Sequence, residues 1–85
     1  MLENKIIIVT GGGSGMGKAS AILFAAVGAK VLVADWSEEG GRATVEEINE
    51  AGGKAVFQRT DVSREEDVER MVQCAVDTFG KLDGA

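Results

Sequence analysis

The sequence predicts an α/β fold in which short parallel strands alternate with helices. Three observations support this prediction. Runs rich in β-branched residues recur along the chain, stretches of helix length separate them, and glycines stand where several of these segments end. Such alternation implies right-handed βαβ crossovers and a parallel sheet. The 85 residues suffice for one small domain, so residues 1–85 are expected to form part of a single domain.

The first βαβ unit occupies the N-terminal half of this pattern. Residues 5–10 (KIIIVT) form a β-branched run that glycines close, which predicts a buried strand. A helix is predicted over residues 15–27, and Gly28 stands where a C-terminal cap belongs. The second strand is predicted at residues 31–35 (VLVAD) and ends in the acid Asp35. The apolar side of the helix is expected to comprise Ala19, Ile22, Leu23, Ala26 and Val27.

The second half repeats the alternation. Ser37 is the expected N-cap of the second helix. The third strand is predicted at residues 55–60 (AVFQRT), and Ser63 and Glu66 have the spacing of an S-x-x-E capping box for the third helix. Residues 81–85 (KLDGA) resemble the approach to a fourth strand. The apolar stripes are Val45, Ile48 and Ala51 in the second helix, before Gly52 and Gly53, and Val68, Met71, Val72, Ala75, Val76 and Phe79 in the third, before Gly80.

The composition excludes several classes of function. Acidic residues outnumber basic residues by 14 to 9, giving a formal net charge of −5. Proteins that bind a phosphate backbone need a basic face, so nucleic acid is not expected as a partner. The chain has no histidine, no tyrosine and one cysteine, so it lacks the commonest proton-transfer side chains and the ligands of a zinc cluster. No metal site is therefore predicted, and an enzyme complete within these residues is not expected.

The sequence carries no sign of export or membrane insertion. Cys74 has no partner for an internal disulfide and is expected to be a small helix residue near the core. The apolar run at residues 6–9 is far shorter than a signal peptide core or a membrane span. A cytoplasmic protein without a membrane partner is therefore expected.

The richest candidate site is the glycine loop, residues 10–17 (TGGGSGMG), between the first strand and the first helix. It does not match the G-x-G-x-x-G fingerprint, but it has the spacing T-G-x-x-x-G-x-G through Thr10, Gly11, Gly15 and Gly17. Glycines here permit a tight turn, close approach of the backbone to a pyrophosphate and close helix packing. Glycine-rich turns also occur for backbone geometry alone, but a simple turn does not need this many glycines.

A P-loop is an alternative interpretation of the same residues. Gly12, Gly17 and Lys18 have the spacing of that motif, which would indicate a nucleoside triphosphatase. The P-loop needs Ser or Thr directly after its lysine as a magnesium ligand. Ala19 stands at that position, and Ser20 lies one residue later, about 100° round the helix. The sequence therefore argues against ATP or GTP hydrolysis.

Asp35 is the candidate for ribose recognition. It follows the second strand at about the 20-residue distance from the glycine loop at which an acid accepts hydrogen bonds from the adenosine ribose in dinucleotide-binding folds. A carboxylate there would repel the 2′-phosphate of NADP, and neither Trp36 nor Ser14 supplies a positive charge. NAD is therefore expected over NADP. Asp35 could instead serve only as a turn residue before Ser37, and Trp36 could flank the adenine or cover an edge.

Asp61 and Val62 are the candidates for adenine binding. They follow the third strand, and ligands of open α/β sheets bind outside the carboxyl ends of the strands. The Asp61 carboxylate could accept a hydrogen bond from the adenine amino group, and the Val62 N–H could serve a ring nitrogen. The alternative is a loop acid that leads into the third helix.

The sequence resembles the N-terminal part of a short-chain dehydrogenase/reductase. The resemblance covers the whole chain and rests on KIIIVT, the glycine loop, Asp35, TDVS at residues 60–63 and FGKLDGA at residues 79–85. It implies a partial Rossmann fold, the N-terminal half of a doubly wound dinucleotide-binding fold. It also implies that Ser14 and Met16 contact the pyrophosphate and nicotinamide side, mostly through backbone. By the same resemblance, Thr10, Gly11, Gly15 and Gly17 shape the loop, Asp35 binds ribose, and Asp61 and Val62 bind adenine.

The resemblance further implies an oxidoreductase that transfers a hydride between NAD(H) and an alcohol or ketone. The catalytic serine and the Tyr-x-x-x-Lys pair of that family lie beyond the matched positions, so no catalytic residue is assigned here. The chain is expected to be a fragment that is inactive alone, and the parent is expected to be a homotetramer. A non-catalytic nucleotide-binding module is the alternative.

Overall fold

The computed structural model describes residues 5–13 and 15–80. These ranges contain the predicted alternation of three strands and three helices, with most ends within a residue or two of the expected positions. Ser14 of the glycine loop and the predicted approach to a fourth strand at residues 81–85 lie outside the described residues. The elements are β1 (Ile6–Thr10), α1 (Gly15–Ala26), β2 (Lys30–Asp35), α2 (Glu38–Glu50), β3 (Lys54–Arg59) and α3 (Glu65–Phe79).

The three strands form one parallel sheet in the order β1-β2-β3. Ile8 lies beside Leu32, which lies beside Val56. Because the strands are parallel, their carboxyl ends fall on one edge of the sheet, as the sequence predicts. The fold class is confirmed.

Side chains alternate between two apolar layers on opposite faces of the sheet. Along β2, Val31 and Val33 face the layer shared with α1 and α2, whereas Leu32 and Ala34 face the layer shared with α3. All four are at most 1% exposed, so the central strand is buried on both faces.

The position of α3 indicates at which edge of the sheet a further parallel strand would pair. The first two crossovers place α1 and α2 on one face, and α3 packs on the other face. A right-handed crossover through α3 returns toward β1, so a strand that follows α3 would pair with the outer edge of β1. The strand order would then reverse between β1 and its new neighbour, which is where open α/β sheets bind ligands.

The predicted apolar side of α1 is confirmed at Ile22, which packs against the core, but it misses the two buried residues of the helix. The structure buries Ala21 and Ala25 against the sheet, whereas Ala19 is exposed and the Leu23 side chain is 61% exposed. Apolar residues occur on nearly every side of this helix, so their spacing does not identify the packed face. The packed face combines the buried Ala21 and Ala25 with the partly buried Ile22 and Phe24.

The predicted C-terminal cap of α1 and N-terminal cap of α2 are confirmed. Gly28 has a φ of 103° and follows α1 in a Schellman motif, in which the Ala29 N–H bonds the Phe24 carbonyl at 3.0 Å. Ser37 caps α2, because its hydroxyl accepts the Gly40 N–H at 3.2 Å.

None of the helices in the described ranges has the length and apolar character needed to cross a bilayer.

The capping box predicted for α3 is wrong. The N-cap residue is Arg64, whose side chain makes no capping hydrogen bond to the helix backbone. Ser63 instead donates its hydroxyl to Asp61 Oδ1 at 2.6 Å, so it is already used in the loop before the helix. Asp61, in the loop between β3 and α3, therefore outcompetes the helix terminus for this hydroxyl.

Expressed as these 85 residues alone, the chain is expected to self-associate. Among the described residues, β1 pairs with β2 only, so its outer edge presents backbone groups flanked by apolar side chains. Gel filtration over a range of concentrations should show dimers or larger species. A monomer that unfolds cooperatively at every concentration would contradict this expectation.

Candidate functional site

The carboxyl ends of the three strands surround a cleft of about 410 Å³. The cleft unites six residues that the sequence singled out, and it adds Ala34 and Thr60, which the sequence reasoning missed. The lining residues are Thr10, Gly11, Ala34, Asp35, Trp36, Thr60, Asp61 and Val62. Its location follows from the parallel topology, because β1, β2 and β3 all end at this edge.

The backbone continues the sheet into the cleft before the chain turns away. The Gly11 N–H donates to the Ala34 carbonyl at 2.7 Å, and the Thr60 N–H donates to the Asp35 carbonyl at 2.9 Å. These two bonds hold the first residue after β1 and the first residue after β3 against β2. The backbone at the floor of the cleft therefore continues the hydrogen bonding of the sheet.

Glycine is required in the loop by backbone conformation and by packing. Gly11 and Gly15 have φ values of 69° and 57°, a region that residues with a Cβ rarely adopt. Gly17, in the first turn of α1, lies so close to the Gly11 carbonyl that a Cβ would collide with it. The sequence prediction that the glycines serve a tight turn and close helix packing therefore has a physical basis in this loop.

The Asp35 carboxylate ties the glycine loop to the end of β2. One carboxylate oxygen accepts the Gly13 N–H at 2.7 Å, and the other accepts the Ser37 N–H at 2.9 Å. One half-buried side chain thus links the glycine loop, β2 and the start of α2. Asp35 is therefore more than a turn residue before Ser37.

Gly40 at the start of α2 lets the glycine loop approach, and its neighbour Gly41 leaves room for the Phe57 ring. A Cβ built on Gly40 would lie 2.8 Å from the Gly13 carbonyl oxygen, and one built on Gly13 would lie 2.9 Å from the Gly41 nitrogen. Sequence reasoning missed Gly40 and Gly41 as residues that shape the site. The available signal was the pair of glycines inside a predicted helix, where glycine is unfavourable without a packing reason.

The loop after β3 holds Asp61 in its ionised form. Asp61 Oδ1 accepts both the Ser63 hydroxyl at 2.6 Å and the Ser63 N–H at 2.9 Å. These bonds lower the pKa of Asp61 from its ordinary value of 3.8, with a smaller contribution from the charge of Arg64. The Asp61 N–H donates to the Asp67 carboxylate at 3.0 Å, which fixes the loop to the first turn of α3. Asp61 is thus an acceptor at neutral pH.

Two exposed apolar side chains flank the mouth of the cleft. The side chains of Trp36 and Val62 are 62% and 63% exposed, although both are large hydrophobic residues. The guanidinium carbon of Arg59 lies 4.5 Å from the centre of the Trp36 ring. The mouth therefore offers apolar surface next to the charged groups of the cleft.

The start of α1 forms a second part of the site, at the outer edge of β1. Met16 is 87% exposed and borders a separate hollow of about 300 Å³ together with Thr10 and Gly17. The structure therefore does not bring Met16 into the same cleft as Asp35 and Asp61. The first turn of α1 carries no acidic residue, so its N–H groups and dipole remain suited to an anion.

The P-loop interpretation finds no support in the position of Lys18. Its ammonium group lies 3.2 Å from the Glu47 carboxylate, on the side of α1 that meets α2. The contact is between partly exposed side chains and contributes about 1 kcal/mol or less to stability. In this conformation the lysine is paired within the protein.

Comparison with known proteins identifies the family. The family profile described as short chain dehydrogenase matches residues 5–84. The chain belongs to the short-chain dehydrogenase family. An uncharacterized oxidoreductase of Thermotoga maritima is 48% identical over 81 residues, which are 95% of this chain and 32% of that protein. The 2,5-dichloro-2,5-cyclohexadiene-1,4-diol dehydrogenase of Sphingobium indicum is 50% identical over 84 residues, 99% of this chain and 32% of that protein.

The structural comparison agrees with the sequence comparison. A hydroxysteroid dehydrogenase from Escherichia coli superposes with a TM-score of 0.96 at 37% identity, covering 98% of this chain and 35% of that one. The chain thus spans about a third of the length of the short-chain dehydrogenases that it matches. The family binds NAD(P), and the glycine-lined approach to α1 beside Asp35 fits a dinucleotide. The comparisons do not favour a P-loop phosphohydrolase or a non-catalytic module.

Replacing Gly40 with alanine is expected to destabilise the protein, although alanine is the better helix former. Helix propensity alone predicts a gain of about 0.5–1 kcal/mol, but the new methyl group would crowd the Gly13 carbonyl. Overpacking of this kind costs about 1–3 kcal/mol. Urea unfolding of the full-length protein measures the difference. Ala43→Gly, at an exposed position of α2, is the control. It should lower the free energy of unfolding only by the difference in helix propensity between alanine and glycine. A stabilised Gly40→Ala variant would contradict the close approach.

Replacing Ser63 with alanine is expected to raise the pKa of Asp61 toward its ordinary value, because one of the two donors to Oδ1 is lost. Carbon-detected NMR titration of the carboxyl groups measures the change. A lowered pKa stabilises the fold above the pKa of the unfolded chain, and that contribution is lost as pH falls through the folded pKa. The stability gap between wild type and variant should therefore narrow in acid.

The matched control for this titration is Thr78→Ala, which removes an exposed hydroxyl from α3. It should leave the pKa of Asp61 unchanged. An equal response of Asp61 to both substitutions would show that Ser63 has no specific effect.

Proposed function

We propose that the chain is the NAD(H)-binding part of an oxidoreductase that transfers a hydride between NAD(H) and an alcohol or ketone. The observation that carries the proposal is the Asp35 carboxylate, held beside a glycine-lined loop at the carboxyl ends of a parallel sheet. Membership of the short-chain dehydrogenase family supports the reaction class. The bound nicotinamide would supply the hydride chemistry, and the residues of this chain would bind and orient it.

The glycine loop would receive the pyrophosphate. Positive φ at Gly11 and Gly15 turns the chain sharply into α1, whose first N–H groups have no partner within the helix. Thr10 and Gly17 would shape this turn, and Ser14 and Met16 would contact the pyrophosphate and nicotinamide side. The exposed position of Met16 at the outer edge of β1 supports that assignment.

Asp35 would recognise the adenosine ribose and favour NAD over NADP. An ionised carboxylate has about four acceptor positions, and the Gly13 and Ser37 N–H groups use one on each oxygen. Each carboxylate oxygen therefore keeps an acceptor position for a ribose hydroxyl. A 2′-phosphate would meet this negative charge at close range, and its repulsion would disfavour NADP.

Asp61, Val62 and Trp36 would bind the adenine. Both Ser63 donors contact Oδ1 of Asp61, which leaves Oδ2 for the adenine amino group. Val62 and Trp36 offer exposed apolar surface at the same mouth, where a flat purine would cover them. The three side chains thus suit the polar edge and the apolar faces of the base.

The substrate is proposed as a small alcohol or ketone. The names of two relatives refer to a diol and a hydroxysteroid, both of which carry hydroxyl groups. The catalytic serine and Tyr-x-x-x-Lys residues would come from outside this chain, and the parent is proposed as a homotetramer. A cytoplasmic location stays a prediction.

Replacing Asp35 with alanine in the full-length protein is expected to weaken NAD binding more than NADP binding. Loss of the tether to Gly13 should affect both cofactors, but NADP is at the same time relieved of the repulsion between its 2′-phosphate and the carboxylate. NAD should lose in addition the hydrogen bonds to its ribose, which corresponds to about a ten-fold or larger change in the NAD-to-NADP affinity ratio. Isothermal titration with each cofactor measures this ratio. An unchanged ratio would remove Asp35 from the ribose role, and Glu38→Gln, an exposed acid of α2, is the control for charge alone.

A further inference from the structure

Trp36 stands between two hollows. The indole lines the cleft that we propose for adenosine, and it also lines a neighbouring hollow of about 390 Å³ on the β3 side. Trp36 and Asp61 are the residues common to both linings. Trp36 is 62% exposed, so burial in the core does not hold its side chain in place.

The cations of the second hollow are already engaged. Arg64 lies 3.5 Å from the Glu66 carboxylate, and Arg70 lies 3.7 Å from the Asp67 carboxylate. Arg59 differs from both, because its guanidinium carbon lies 4.5 Å from the centre of the Trp36 ring, within the range of a cation–π contact. The hollow is therefore better described as a support for the indole than as an anion site.

The sheet brings Arg59 to this position. Arg59 is the last residue of β3 and lies in register beside Asp35, the last residue of β2. Trp36 follows Asp35 directly, so the guanidinium meets the indole across the ends of two paired strands. The contact thus depends on strand register and not on proximity in the sequence.

We propose that Arg59 is a positioning residue that holds the Trp36 indole as the outer wall of the adenosine cleft. The inference rests on the proposed nucleotide site. Arg59 lines the second hollow and is absent from the lining of the cleft, so it acts on the base through the indole. An indole that is ordered before binding loses less rotamer freedom when adenine packs on it, and this preorganisation increases affinity.

The experiment is a double-mutant cycle on ADP and NAD affinity in the full-length protein, measured by isothermal titration. Arg59→Ala should weaken both ligands about two- to five-fold, the equivalent of an exposed cation–π contact. The same substitution in a Trp36→Ala background should have no effect, because Arg59 acts through the indole. Arg59→Lys keeps the charge and loses the planar group, so its affinity for both ligands should lie between those of wild type and Arg59→Ala.

A spectroscopic readout tests the position of the ring itself. Subtracting the emission of a Trp36→Phe variant isolates the signal of Trp36. Acrylamide should quench this signal more strongly in Arg59→Ala than in wild type, because one side of the indole loses its cover. Arg42→Ala is the matched control, since Arg42 lies over Phe57, at 5.6 Å, outside the cleft lining. It should change neither quenching nor affinity.

The outcomes separate the two proposals. If the wild type binds neither ADP nor NAD, the proposed function fails, and this inference fails with it. If the wild type binds both but Arg59→Ala behaves like Arg42→Ala, only the role of Arg59 is overturned. An equal loss of affinity from Arg59→Ala with and without Trp36 would also overturn it, since Arg59 would then act directly on the nucleotide.

Discussion

The rest of the site depends on the two hydrogen bonds that the Asp35 carboxylate accepts. They join the glycine loop and the start of α2 to the end of β2. Hydrogen bonds to an ionised acceptor are roughly twice as strong as neutral ones, and the bond from Gly13 is partly buried, which limits competition from water. A single carboxylate therefore links the glycine loop, β2 and the start of α2.

The glycines are the steric counterpart of this tether. A short bond from Gly13 to Asp35 brings the loop against the first turn of α2, where only hydrogen at Gly40 leaves room for the Gly13 carbonyl and only hydrogen at Gly41 leaves room for the Phe57 ring. Helix propensity is lost at these two positions in exchange for close packing. The loop, the acid and the helix start thus form one unit, and the candidate nucleotide site is the surface of that unit.

The sequence predicted the fold well because the strands are strongly patterned. Residues 31–35 are a run that must be buried on both faces, and the glycines after each helix fix the ends of the elements. The sequence predictions failed where the spacing of residues is compatible with more than one packed face or hydrogen-bond partner. Apolar residues surround α1, so periodicity selected Leu23 while the structure buries Ala21. Local spacing also assigned Ser63 to a helix cap, although Asp61 competes successfully for its hydroxyl.

The sequence by itself determined the alternation of strands and helices, the parallel sheet and the edge at which its polar residues meet. These features follow from local composition and from the handedness of the crossovers. The tertiary structure decided which side chains touch across that edge. Neither the bond from Gly13 to Asp35 nor the stacking of Arg59 on Trp36 could be read from spacing, because each joins segments that only strand register brings together.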